Sequence, residues 1–168
     1  ARGKPAKPEE RRQLADVARL TRSGRAALQP ADTMALTTVD EVEIPAAEGK
    51  KLLAGGQYLR VPAGTVIRVD LDLEAIGSSG RLALTHDVFL NGYEKLARKG
   101  IGLAAGERWR LSYEIAVPND SNQLVVQLYA TSVEGDSQTL RIHDARLSVR
   151  KDDGTADELS VLEDQRSR

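Results

Sequence analysis

Residues 107–118 read ERWRLSYEIAVP, and no other stretch constrains the chain as strongly. Trp109, Leu111, Tyr113, Ile115 and Val117 share one parity, while Arg108, Arg110, Ser112 and Glu114 share the other. A period of two predicts a strand with one face buried and one face wet. Gly106 precedes it, and Pro118-Asn119-Asp120 supplies turn chemistry at its end. The single tryptophan falls on the buried parity, which gives Trp109 a structural role.

Other segments repeat the pattern around this one. In residues 65–74, Ile67, Val69, Leu71 and Leu73 alternate with Arg68, Asp70, Asp72 and Glu74. Residues 81–90 put Leu82, Leu84, Val88 and Leu90 on one face, and Asn91-Gly92 follows as a hairpin signal. Residues 93–103 are basic and interrupted by Gly100 and Gly102, which predicts an edge or irregular strand. Residues 123–131 turn Leu124, Val126 and Leu128 inward. In residues 140–149 the parity slips: Leu140 and Ile142 share one phase, and Ala145, Leu147 and Val149 the other. Such a slip predicts a β-bulge at His143-Asp144. Residues 33–44 make a first strand, and residues 58–61 a short one before the turn at Pro62-Ala63-Gly64.

These segments predict an all-β fold over residues 31–150, an antiparallel β-sandwich (jelly roll) of about 7–9 strands. Residues 1–30 precede it as a basic arm with an α-helix, marked by Pro8 and by Leu14, Val17, Leu20 and Leu28 at helical spacing. Residues 151–168 follow as a polar tail, with one anchoring turn at Leu159, Val161 and Leu162.

Charge and composition exclude several functions. The formal net charge is -1, so no global field attracts nucleic acid or a membrane surface. No apolar run reaches the roughly 20 residues of a membrane helix. The absence of cysteine removes disulfides and thiolate chemistry. The arm is locally basic: from Arg2 to Arg25 it holds eight Lys or Arg against three acids. Arg11, Arg12, Arg19, Arg22 and Arg25 read either as a solvated face or as a docking arm for an acidic partner or a neighbouring subunit.

Three motifs carry a resemblance. Tyr58-Leu59-Arg60-Val61-Pro62-Ala63-Gly64 precedes a long alternating strand. Gly106-Glu107-Arg108-Trp109 leads to Pro118, and Ile142-His143-Asp144-Ala145-Arg146-Leu147 closes the pattern. Over about residues 33–150 the chain resembles the jelly-roll carbohydrate-binding modules of the family 4/9/22 type. The resemblance implies glycan binding and a structural calcium. Asp144 stands where that family often ligates calcium, and Asp40, Glu41 and Glu43 on the first strand supply further oxygens. The alternative is that these acids are solvated or paired with Arg141 and Arg146. No other cofactor is implied.

A glycan site needs exposed rings and polar groups for the hydroxyls. Phe89, Tyr93 and Tyr129 fall on outward or loop positions, with His86, Asn91 and Gln127 as polar neighbours. Aromatic content is only 4%, which weighs against an extended ring platform. His86 and His143 lie on different strands with no nucleophile motif beside them, so the reading is not an enzyme.

Two functions remain. The favoured one is a non-catalytic assembly protein, such as a decoration or connector subunit of a virus-like particle, whose termini contact neighbouring subunits. The other is a true glycan-binding module acting with a surface-polysaccharide enzyme or transporter. Both place the chain on a particle or at a cell surface, and the first makes it oligomeric.

Overall fold

A computed structural model of the chain describes residues 26–45, 51–77, 80–90, 94–117, 123–134, 137–154 and 159–168. These residues contain eleven strands and no helix. They are β1 (Ala26–Ala27), β2 (Thr33–Ala35), β3 (Glu41–Ile44), β4 (Lys51–Arg60), β5 (Thr65–Ile76) and β6 (Arg81–Leu90). They continue as β7 (Glu94–Ala104), β8 (Arg108–Ala116), β9 (Leu124–Glu134), β10 (Gln138–Lys151) and β11 (Leu159–Ser167).

The strands form two sheets. Sheet I runs β1-β4-β9-β6-β7, and sheet II runs β11-β8-β5-β10-β2, with β3 also paired to β10. Pairing is antiparallel except for the two-residue β1–β4 contact. From β3 to β10 each successive strand changes sheet, except at the β6–β7 hairpin. That alternation is the jelly-roll order, in which two sheets fold over one shared core.

The alternating segments bury the faces their parity predicts. Ile67, Val69, Leu71 and Leu73 of β5 meet Trp109, Leu111, Tyr113 and Ile115 of β8 in one core. Leu82, Leu84 and Val88 of β6 and Leu124, Val126 and Leu128 of β9 close it from sheet I. The parity slip in β10 is a bulge, because its register against β5 shifts between Ile142 and Asp144. Strand β7 lies at the edge of sheet I, as its glycines and charges predict.

Four expectations change. The predicted first strand is two short ones, β2 and β3, each paired with β10 and separated by residues 36–40. The predicted helix does not extend to Leu28: Ala26–Ala27 is strand β1, and Leu28 is fully buried in the core. The remainder of the arm, including Arg11, Arg12, Arg19, Arg22 and Arg25, lies outside the described residues. The last segment forms strand β11 rather than a turn, paired along β8.

The fourth change is in β4, which begins seven residues earlier than the predicted strand at Tyr58. Its alternation is hidden by Gly55-Gly56 and by two register shifts against β9, one between Leu52 and Ala54 and one between Gly55 and Tyr58. Both glycines have positive φ, 76° and 88°. A Cβ on Gly55 would also overlap the Val126 carbonyl of the neighbouring strand. Left-handed backbone plus a backbone clash makes glycine obligatory there. Gly55→Ala is expected to lower stability by about 2 kcal/mol, read from the urea midpoint.

Candidate functional site

The outward face of sheet I gathers several of the predicted glycan-contact residues. Cross-strand partners share a face, so register places them. One row reads Tyr58–Val125–Phe89–Lys95 across β4, β9, β6 and β7. The next reads Gly55–Gln127–Asp87–Arg98, and the third Leu52–Tyr129–Thr85–Gly100. Phe89, Tyr129 and Gln127 therefore lie on one face, half-buried. Tyr58, which the sequence reading did not single out, joins them at 52% exposure. By strand spacing Tyr58 and Phe89 stand about 10 Å apart. Asn91 and Tyr93 lie outside the described residues.

His86 does not belong to that face. It shares the inward parity of Leu82, Leu84 and Val88, and it is 1% exposed. Its Nδ1 lies 2.9 Å from the Gln127 carbonyl oxygen, which can only accept. That fixes the proton on Nδ1 and leaves Nε2 to accept from the Tyr113 hydroxyl. The pair ties β6 of sheet I to β8 of sheet II through the core. Burial pushes the His86 imidazole down to about 4, partly opposed by the Gln127 carbonyl. Burial likewise raises the Tyr113 hydroxyl well above its ordinary value. Both rings are neutral and hold a structural polar bond, which removes His86 from the glycan-contact set. Parity carried the signal, since His86 falls on the buried phase of its strand.

The pair forms the floor of a small cleft on the open side of the sandwich, between edge strands β7 and β11. Ala97, Leu111, Leu159 and Val161 supply apolar walls, and Lys99 and Asp164 stand at the mouth. The space is about 80 Å³, room for a few waters or a small apolar group.

Strand β11 spans this opening. Leu159, Val161, Asp164 and Arg166 pair with Ile115, Tyr113, Leu111 and Trp109, the buried phase of β8. A register shift between Val161 and Glu163 carries the phase across Leu162. Asp164 accepts from Trp109 Nε1 at 2.9 Å and pairs with Lys99 of β7 at 2.6 Å. Burial works to raise its carboxyl, and the bonds from Lys99 and Trp109 hold it below the ordinary range. Arg166 donates to the Gly102 carbonyl at 2.7 Å and faces Glu107 at 3.6 Å. Yet no β11 residue enters the core. Leu159, Val161 and Leu162 remain 46%, 59% and 52% exposed.

The outward face of sheet II is a lattice of opposite charges. Asp70 accepts from Ser112 at 2.7 Å and pairs with Arg68 at 3.1 Å. Arg108 grips both oxygens of Asp72 at 2.7 Å, which holds that carboxyl below its usual range. Arg150 does the same for Glu114.

Two of the predicted calcium ligands, Asp144 and Glu41, pair with arginines in this lattice. Asp144 faces Arg146 at 3.4 Å, and burial raises its carboxyl. Glu41 pairs with Arg141 at 2.8 Å. Asp40 offers its backbone carbonyl to Ile142, and Glu43 offers its own to Lys51. Among the described residues no group of three His, Asp or Glu side chains is placed to hold a metal ion.

No family model and no curated protein matches the chain. The resemblance to carbohydrate-binding modules is thus supported only at the level of the β-sandwich. Two solved structures match the chain, those of infectious bursal disease virus, Gt strain and Gx strain. They share 12% and 13% identity with the chain, at TM-scores of 0.48 and 0.46. They cover 78% and 79% of this chain, which spans about a third of theirs (34% and 33%).

Proposed function

We propose that the protein is a non-catalytic structural subunit that joins neighbouring subunits through its terminal segments. Strand β11 carries this reading. It is a nine-residue edge strand with Leu159, Val161 and Leu162 exposed together. A long edge with a contiguous apolar patch is a template for pairing, and soluble monomers ordinarily blunt it. The other edges are managed: β7 carries Lys95, Arg98 and Lys99, β1 has two residues, and β2 has three. The basic residues 2–25 supply a second contact at the other terminus.

Sedimentation of the full chain from low to high micromolar concentration tests this. Reversible oligomers are expected, with Leu159→Ser/Val161→Ser/Leu162→Ser shifted to monomer. A chain that stays monomeric across that range removes self-association from the reading. Deletion of residues 1–25 leaves Leu28 in the core, so it is expected to keep the sandwich folded while weakening association.

A second reading rests on a separate observation, the grouping of Tyr58, Phe89 and Tyr129 with Gln127 on the outward face of sheet I. Rings and an amide on one sheet face suit the apolar and hydroxyl surfaces of a sugar. A glycan array is expected to detect polysaccharide binding that Tyr58→Ala and Tyr129→Ala each reduce about tenfold or more, on the scale of one lost stacking contact. A folded domain that binds no glycan sinks this second reading and leaves the first intact.

A further inference from the structure

The way β11 is held sets it apart from every other long strand. Its side chains add nothing to the core, and its specific tethers are polar: Asp164 to Trp109 and Lys99, and Arg166 to the Gly102 carbonyl and Glu107. The surface beneath it is a preformed strand acceptor. It offers the free edge of β8, one indole N–H and one ammonium for a carboxylate, and one carboxylate and one carbonyl for a guanidinium. Leu111, Ala97 and the His86–Tyr113 pair line the floor.

The strand reaches that acceptor over a long span. It follows β10, but β5 and β8 lie between them in the sheet. The end of β10 at Lys151 and the start of β11 at Leu159 therefore lie three strand spacings apart, about 14 Å. Seven residues separate those ends in the sequence, and a chain of that length spans at most roughly 25 Å. That bound exceeds what closure onto its own sandwich requires.

We propose that in the assembled protein β11 is exchanged: the strand of one copy occupies the β8 edge of the next. This rests on the assembly reading above and names its contact. The occupant is a second copy because the acceptor is complementary to this strand's own residues: a base (Lys99) and an N–H (Trp109) for Asp164, an acid (Glu107) and a carbonyl (Gly102) for Arg166, at the spacing β11 provides. Contacts made within a chain and between chains are identical, so exchange costs little beyond association itself. Local concentration decides between them: a lone chain closes on itself, and crowded copies trade strands.

The absence of cysteine makes the test clean. Arg110 and Gln165 are exposed cross-strand partners on β8 and β11. In Arg110→Cys/Gln165→Cys, an oxidised intrachain bond locks β11 at home. The locked chain is expected to lose assembly and to regain it on reduction. As a second measurement, single variants Arg110→Cys and Gln165→Cys are mixed, allowed to associate and then oxidised. The covalent heterodimer is expected to exceed either homodimer about tenfold, because only ladder partners meet disulfide geometry.

If oligomers form while the locked chain assembles unchanged and no heterodimer enrichment appears, exchange is overturned and the assembly reading stands. If the unmodified chain never leaves the monomer, both fall together.

Discussion

Lowering the pH from 7 to 4 is expected to remove about 3 kcal/mol of stability through His86 alone. The sign follows from where the proton binds. His86 titrates near 4 in the folded protein against about 6.5 in the unfolded chain, because burial penalises the charged ring. Between those values the unfolded chain takes up a proton that the folded one refuses. Stability is therefore complete above about pH 6.5, declines through the window, and levels off below about 4. Asp72, Glu114 and Asp164, held low in the folded state, add losses in the more acidic range. Urea unfolding by circular dichroism at half-unit pH steps separates the two. His86→Gln, which keeps an amide in place of the ring, should flatten the upper window and leave the lower one. A wild-type curve already flat between pH 6.5 and 4.5 contradicts the buried neutral imidazole.

Trp109→Ala is the substitution expected to cost most, about 4 kcal/mol. The ring is fully buried, and its loss leaves a large void between β8 and the facing sheet. The indole also anchors β11 by donating to Asp164. Trp109→Phe separates these roles. It keeps most of the packing and deletes the donor, so its cost should be about 1–2 kcal/mol. Its more telling effect is on β11, whose 159–168 segment should become accessible to protease while the sandwich remains folded. Equal protease resistance in wild type and Trp109→Phe would show that the ladder with β8 holds the strand unaided. Because this is the single tryptophan, both variants require circular dichroism rather than fluorescence.

The strands legible in the sequence were those with one wet and one dry face. Strands β5, β6, β8 and β9 announce themselves by alternation, and even the β10 bulge shows as a phase slip between Ile142 and Ala145. Strand β4 is legible only from Tyr58 onward, because its bend is made by glycines, which carry no polarity. Strand β11 is illegible for a different reason. Its phase slips at Leu162, and charged side chains occupy both of its faces, so hydrophobic period says nothing about it.

The candidate sites divide along the same line. Parity placed Phe89, Gln127 and Tyr129 on one outward face, and it also held the information that His86 points inward. Pairing of the predicted calcium ligands with Arg141 and Arg146 was legible as the alternative to calcium, and Glu41–Arg141 and Asp144–Arg146 are the pairs the structure forms; assigning Arg141 to Glu41 needed the register of β3 against β10. Tyr58 was legible only once β4 was known to run beside β9.

The placement of β10 governs the order of synthesis and folding. It lies between β5 and the short strands β2 and β3, pairing residues 41–44 with 138–141. Sheet II is therefore discontinuous until residue 151 has left the ribosome. Until then Met34 and Leu36, whose strand neighbour is β10, stay uncovered in the nascent chain. Pairing over such sequence distances belongs to the slow end of single-domain folding, milliseconds to seconds. The nascent chain thus has a window in which a chaperone or a second nascent copy meets its amino-terminal strands before its own carboxy-terminal ones do.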